Sequence, residues 1–324
     1  MLKTAVVGAG NWGQNLVQTL DQMGVLAAVV ETDPAQKENL AKKYNNLVIY
    51  EDFRQLLDNP EIQALLIATP APTHYPLARA ALLAGKDVFL EKPMVLSSAD
   101  AENLVELAGQ KERVLMVGHL LLYQPAIQWL KQYILSGAVG DLRILSQERL
   151  KLGRVRANED VLWSFGVHDI AVLLYLVGQS PEAVEATGQC VLQPQIADDV
   201  YVHLTFKSGV KANLHVSWLW PEQHRRLTVI GSEAMLVYNE LEQTVTLHRK
   251  GISSGLAVRD QGCEVVFHGS AEPLRLECEH FLQAVEQRKA PLSDGCSAID
   301  VIKILESASK EIAGTVKQKG GQDV

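Results

Sequence analysis

Between Leu2 and Val117, short apolar runs alternate with longer segments of helical period: "KTAVVG", "VLAAVVE", "NLVIY", "ALLIAT", "DVFLE" and "RVLMVG". Each run is too short for a helix and rich in β-branched residues. Almost none alternates with polar residues, which is the signature of parallel strands covered on both faces. The segments between them ("NLVQTLDQMG", "AQKENLAKKY", "FRQLLDN", "YPLARAALLAG" and "DAENLVELAGQ") carry helical spacing, and several close on Gly or Asn as helix C-termini do. Strands that need cover on both faces, each followed by a helix, define a doubly wound parallel α/β domain.

The pattern changes after Gly118. A helix is expected over "PAIQWLKQYILSG" and another over "HDIAVLLYLVG", and from about Glu182 to Val266 strands dominate. "YVHLTFKSGVKANLHVSW" reads as a hairpin turned at Ser208-Gly209. Helical periods return in "LRLECEHFLQAVEQ" and "AIDVIKILESASKEI". This half reads as α+β with a largely antiparallel open sheet, so the chain divides into residues 1–120 and 121–324. "HRKGISSGLAVRDQGCE" is the expected long loop, and "VKQKGGQDV" the expected frayed tail.

A net charge of −8 argues against a general hold on nucleic acid phosphates, so an anionic ligand must be met by a local cluster of bases. Cys190, Cys263, Cys278 and Cys296 are scattered, without the spacing of a zinc site, and read as reduced thiols; no metal is expected. No apolar run approaches membrane-spanning length, and a cytoplasmic location is the expectation.

"VVGAGNWG" places Gly8, Gly10 and Gly13 just after the first strand, with Asn11 and Trp12 inside the turn. Glycines so spaced permit a tight turn, close approach to a pyrophosphate and close packing of the next helix. The second strand ends at Glu31, about twenty residues on, where a carboxylate can accept both ribose hydroxyls and repel a 2′-phosphate. NAD is therefore expected rather than NADP. After the fourth strand, "IATPAPTHYP" places Thr69, Pro70, Thr73 and His74 where strand order reverses and a crevice opens. Thr73 also reads as a helix N-cap, and the two roles are compatible.

The fifth strand runs into "EKP". Lys92 precedes Pro93, which holds its backbone extended and makes a cis bond inexpensive. A lysine at this edge can hydrogen-bond a substrate hydroxyl beside the nicotinamide, with Glu91 steadying it or touching the cofactor. The plainer alternative for the dipeptide is a surface ion pair.

Taken together, "VVGAGNWG", "IATPAPTHYPLARAALLAGKDVFLEKP" and "VLMVGH" resemble the Gfo/Idh/MocA oxidoreductases over essentially the whole chain. The resemblance implies a Rossmann cofactor domain, a substrate domain whose sheet serves oligomerisation as a dimer or tetramer, and a catalytic role for Lys92. Many members carry Asp-x-Gly-x-His-x-x-Asp in the second domain. Here "SFGVHDIA" keeps His168 but has Ser164 and Ala171 in place of the acids. "LWSFGVHDI", "GHLLLYQPA", "RLKLGRVR" and "EPLRLECEHF" are similar to the branch acting on nucleotide-linked sugars, notably UDP-N-acetylglucosaminuronate 3-dehydrogenases.

On that resemblance His168 is the acid/base candidate, since imidazole titrates near neutral pH. Asp169 beside it is a candidate for orienting a helix or binding substrate. Arg149, Lys151, Arg154 and Arg156 form the densest basic cluster, suited to a diphosphate or uronate, or else to a solvated strand. Tyr123 and Trp163 are candidates to stack on sugar or base, or to pack in a core. Val216, Trp218 and Trp220 alternate along "HVSWLWP" as an apolar stripe for helices or another subunit to cover. Two alternatives to a nucleotide-sugar dehydrogenase stay open: a cyclitol or free-sugar dehydrogenase, and a cofactor-binding sensor without turnover.

Overall fold

The computed structural model describes residues 2–153, 155–253, 255–270 and 272–319. These residues form two compact units, one within residues 2–120 and 272–302, the other within residues 121–270 and 303–319. The segment Glu272–Ile302 thus belongs with the first unit, a return that a single cut after residue 120 does not include.

The first unit is built on β1 (Thr4–Val7), β2 (Leu26–Val30), β3 (Val48–Tyr50), β4 (Ala64–Ile67), β5 (Asp87–Leu90) and β6 (Leu115–Val117). All are parallel, in the order β3-β2-β1-β4-β5-β6. This is the dinucleotide-binding arrangement, with its switch point between β1 and β4. Helices α1 (Gly13–Gln22), α2 (Pro34–Lys43), α3 (Arg54–Leu57), α4 (His74–Leu83) and α5 (Ser98–Gln110) connect the strands. β1, β4 and β5 are buried at every position, which is why their runs contain no polar alternation. Leu65, Ile67, Val88 and Leu90 pack there with Leu82 and Leu104, each contributing about 1.5–3 kcal/mol by leaving water.

In the second unit α6 (Pro125–Leu135) precedes β7 (Leu142–Leu152), and a π-helical turn, Leu162–Gly166, runs into α7 (Val167–Val177). Then follow β8 (Ala183–Gln189), β9 (Asp199–Thr205), β10 (Lys211–Ser217), β11 (Leu219–Gly231), β12 (Met235–Asn239), β13 (Thr244–Ile252) and β14 (Val258–His268). Their order is β14-β13-β12-β11-β7-β10-β9-β8, antiparallel throughout except where β10 runs parallel to β7. The expected hairpin at Ser208-Gly209 is β9–β10, with Thr205 opposite Lys211 and Gly209 at φ +87°. The chain closes with α8 (Pro273–Gln287) and α9 (Gly295–Lys319).

Two expectations need correction. The segment read as a long loop is mostly the β13–β14 hairpin, with Ile252 paired to Val258. Most of β14 is exposed, so no buried face imposed an apolar alternation on its sequence. The tail is helical through Lys319, while residues 320–324 lie outside the described residues. The "HVSWLWP" stripe is also divided. Val216 and Trp218 are fully buried, and Phe165 meets Trp218 edge-on within the same unit at 6.3 Å, whereas Trp220 packs against His215. The unit's own π-helical turn covers that part of the stripe.

Candidate active site

In the first unit, the glycine turn follows directly from β1. Gly8 has φ +88°, and a Cβ there would stand 2.8 Å from Thr69 Cγ2. A Cβ on Gly13 would come within 2.0 Å of the Gly8 carbonyl oxygen, so α1 can approach this closely only without a side chain. Nothing lies within 4 Å of a Cβ built on Gly10, which leaves its backbone open to a ligand. Helix α1 starts without a side-chain cap and with no acid in its first turn, so its N-terminal dipole is available to an anion. By contrast α2 is capped by Asp33, which accepts from Ala35 N and Gln36 N.

Glu31 is 8% exposed and accepts from Ala9 N at 2.7 Å, Thr32 N at 2.7 Å and Asp33 N at 2.9 Å. Its carboxylate therefore ties the glycine turn to the end of β2. Two carboxylate oxygens offer about four acceptor positions, so capacity for a ribose hydroxyl remains. Open backbone at Gly10, an uncapped helix start and a carboxylate at the β2 end together fit NAD.

At the ends of β4 and β5 the polar groups are joined into one scaffold. Thr73 Oγ1 lies 2.7 Å from both the Pro70 carbonyl oxygen and Thr69 Oγ1. Thr73 occupies the N-cap position of α4 as expected but gives the helix no side-chain cap bond, its hydroxyl being turned to the β4 loop. His74 is 1% exposed, with Nδ1 2.8 Å from the Pro93 carbonyl oxygen and Nε2 2.8 Å from that of Thr69. Burial lowers its pKa against the opposing effect of the two backbone carbonyls, and the neutral ring, which carries one N–H, donates to one of them and packs against the other. His74 therefore braces the Lys92-Pro93 turn against the β4 loop, which corrects the expectation of a cofactor contact.

The Lys92-Pro93 peptide is cis, as expected from the sequence. Glu91 N continues the ladder to Ile67 O at 2.9 Å, which carries Lys92 just past the strand end, half-buried. The Glu91 carboxylate accepts from Trp12 Nε1 at 2.5 Å and from the Lys92 amide at 3.2 Å. Trp12, 40% exposed, thus links the glycine turn to the end of β5. Burial pushes the Glu91 carboxyl up to about 7, against the opposing effects of Trp12 and Lys92.

Two further residues reach this edge. His119, one residue past Gly118 at the end of β6, is 2% exposed, and neither ring nitrogen has a hydrogen-bond partner among the described residues. Burial and then the nearby Lys92 charge lower its pKa to about 4, so it is neutral at physiological pH. Glu277 on α8 is fully buried and lies near Glu91. The available signal for His119 was its place in "VLMVGH", in line with the other strand ends. No local signal marks Glu277.

In the second unit, His168 is half-buried in the first turn of α7. Its neighbour Asp169 is fully buried and accepts from Arg149 Nε at 2.8 Å, Arg149 Nη2 at 2.9 Å and Gln147 Nε2 at 2.9 Å. Glu240 closes the group, accepting from Arg149 Nη2 at 2.8 Å and Arg225 Nη1 at 2.9 Å. Burial works against the Arg149 charge, but Asp169 and Glu240 outweigh it and hold the guanidinium protonated. Arg149 and Asp169 are therefore committed to an internal ion network that ties α7 to β7, which fits the helix-orienting reading of Asp169 and not a substrate contact, and replaces both the ligand-contact and the solvated-strand readings of Arg149. Lys151 Nζ sits 5.6 Å from the centre of the Phe165 ring, and Arg156 pairs with Glu159 at 2.6 Å. Arg154 lies outside the described residues. Tyr123 is 4% exposed and belongs to the core, while half-buried Trp163 donates from Nε1 to Ser309 Oγ at 3.0 Å. Among the described residues of the run, Arg149, Lys151 and Arg156 are not gathered into one open cluster.

Comparison with known proteins agrees with this geometry. A model described as "Oxidoreductase family, NAD-binding Rossmann fold" matches residues 2–119, and one for the "GFO/IDH/MocA C-terminal domain" matches residues 127–237. The chain belongs to the Gfo/Idh/MocA oxidoreductase family. It is an NAD-dependent dehydrogenase of the sugar type. Among relatives of this Gfo/Idh/MocA protein, the UDP-N-acetylglucosamine 3-dehydrogenase of Acidithiobacillus ferrooxidans is 28% identical over 302 residues, covering 93% of this chain and 94% of that one. The solved structure of that enzyme superposes with a TM-score of 0.87 at 27% identity, covering 97% and 99% of the two chains. The scyllo-inositol 2-dehydrogenase (NAD(+)) of Bacillus subtilis is 26% identical over 308 residues, covering 90% and 88%. Among the described residues no cluster of metal-ligating side chains occurs, and no helix is long and apolar enough to cross a membrane.

Proposed function

We propose that this chain moves hydride between NAD and a ring carbon of a nucleotide-linked sugar, a UDP-N-acetylhexosamine or its uronate. The observation that carries this reading is the full-length likeness to a UDP-N-acetylglucosamine 3-dehydrogenase. The sequence signals supporting it are Ser164 and Ala171, both buried, in place of the two acids found in many relatives. Oxidation of the alcohol removes a hydride from carbon and a proton from oxygen; the nicotinamide of NAD, when bound, would supply the hydride acceptor. Lys92 holds the hydroxyl and stabilises negative charge developing on its oxygen, while His168 takes the proton. The resemblance also implies a homo-oligomer formed through the second unit's sheet, whose outward-facing residues include Tyr201 and His203.

The test is a panel of UDP-N-acetylglucosamine, UDP-N-acetylglucosaminuronate, myo-inositol and scyllo-inositol, followed by NADH formation and by thermal shift in the presence of NAD. A UDP-linked member should give the highest kcat/KM. Turnover confined to the inositols would establish the second reading, which the inositol dehydrogenase match favours.

Glu31 should set cofactor choice. A 2′-phosphate beside a buried carboxylate sets two like charges together at a cost of several kcal/mol, so NAD should bind about tenfold or more tighter than NADP. Glu31→Ala should narrow that ratio and lower the melting temperature, because three backbone N–H groups lose their acceptor. Equal affinities for the two cofactors in the native chain, titrated at matched ionic strength, would remove Glu31 from this role.

A further inference from the structure

Helix α8 lies against the sheet of the first unit, and its register is visible in one aromatic pair. Phe281 meets Phe89 of β5 edge-on, with ring centres 5.7 Å apart. From Phe89, two residues along the strand lead to Glu91 on the same sheet face, an advance of about 6.6 Å. From Phe281, four residues back along the helix lead to Glu277 on the same helix face, about 6 Å. Arg288, just past the end of α8, donates to Asp87 at the start of β5 at 2.6 Å, so helix and strand run antiparallel and the two matched steps carry Glu277 towards Glu91.

Neither position is wet. Glu277 is fully buried, and neither carboxyl oxygen has a hydrogen-bond donor among the described residues. Glu91 is 7% exposed, and its carboxylate fills the space a side chain on Gly118 would occupy, within 3.0 to 3.2 Å of a Cβ built there. Two ionised carboxylates cannot share such a space. One proton held between them removes the repulsion and supplies the donor that Glu277 otherwise lacks.

We propose that Glu277 is a neutral carboxylic acid that donates its proton to the Glu91 carboxylate, so that the pair carries a single negative charge beside Lys92. Glu277 is then a positioning residue, acting through Glu91 to keep a fixed counter-charge next to the lysine ammonium. This deepens the reading of Lys92 as the hydroxyl-binding group and rests on it. Burial first, and Glu91 second, raise Glu277 well above the ordinary carboxylate range. The other titratable neighbours do not supply the missing donor. Cys278 is itself pushed up by burial and by both acids, Glu279 is partly exposed and paired with Arg275, and His119 is neutral.

The test needs no turnover, so it is independent of the substrate assignment. Infrared spectra of the native chain, Glu277→Gln and Glu277→Leu would be recorded across pH in light and heavy water, with the Glu91 signal assigned by its loss in Glu91→Gln. At neutral pH the native chain should show a protonated-carboxyl band distinct from the Glu91 band, and that distinct band should be absent from Glu277→Gln. The Glu91 midpoint should stay put in Glu277→Gln, whose amide still donates. It should rise by about one unit or more in Glu277→Leu, where the carboxylate loses a charge-assisted bond. Melting temperatures give a second readout that survives a poorly folding leucine variant. A carboxyl whose folded pKa lies far above its unfolded value of about 4.3 loses stability as pH rises through that window. The melting-temperature gain of Glu277→Gln over the native chain should therefore widen from pH 5 to pH 8. A gain that stays constant with pH, no neutral-pH band assignable to Glu277, or one Glu91 midpoint in all three proteins would each overturn the proposal.

Discussion

Lys92→Ala is expected to lower kcat by about 10²- to 10⁴-fold, the range for loss of a positioned acid, base or charge at the reacting oxygen, with NAD affinity within a few-fold of native. The expectation separates chemistry from scaffold. The cofactor features described above, namely the open backbone at Gly10, the uncapped start of α1 and the Glu31 carboxylate, do not depend on the lysine side chain. The turn carrying it is braced by His74 through the Pro93 carbonyl and by Glu91 through the Lys92 amide, contacts that alanine leaves in place. His168→Ala should show a loss of similar depth. If the two side chains act on one hydroxyl, the double variant should be scarcely slower than either single variant, because groups acting as a unit are strongly non-additive. Single-turnover NADH formation with UDP-N-acetylglucosamine, alongside NAD titration of each variant, makes the comparison. A His168→Ala protein with near-native kcat would leave Lys92 as the remaining candidate base.

The first unit was legible because its signals are local. Buried parallel strands such as Ala64–Ile67 are apolar at each position, and the glycine turn has a fixed spacing dictated by the Gly8–Gly13 approach. Less was legible wherever a residue's role depends on a distant partner. Arg149 looks in sequence like part of a basic run, yet its acids lie 20 and 91 positions away, and only the fold brings them together. Charge density along a chain cannot tell a ligand-binding arginine from one already neutralised. His74 was misread for a related reason, since both its acceptors are backbone carbonyls, which no residue type announces. Glu277 sits in a correctly expected helix, but nothing local says that this helix returns to the first unit. Strand β14 shows the converse: exposed along most of its length, it carries little apolar pattern from which its pairing with β13 can be read.

The Arg149 network also yields the largest expected effect on stability. Asp169→Ala should destabilise the second unit by about 3–5 kcal/mol, because it leaves the Arg149 guanidinium buried with half its counter-charge removed. For a unit of this size that corresponds to a fall in melting temperature of roughly 6–20 °C. The argument rests on burial rather than on the number of bonds. Asp169 has no exposed surface and Arg149 has 7%, so water cannot replace the lost carboxylate. The Gln147 amide would lose its acceptor as well. Replacing both members, Arg149→Met with Asp169→Leu, should recover much of the loss, since the cost lies in the unpaired charge and not in the absence of an ion pair. Glu240 limits the recovery, because without Arg149 it keeps only the partly exposed Arg225 as a cation. Asp169 follows His168 in the first turn of α7, so the single variant should also blur the placement of that imidazole. Its activity should then fall at temperatures well below its melting point, while the double variant regains stability before it regains full turnover. Thermal melts paired with initial rates at 25 °C would check both parts, and a single Asp169→Ala variant as stable as the native chain would show that the network does not hold α7 in place.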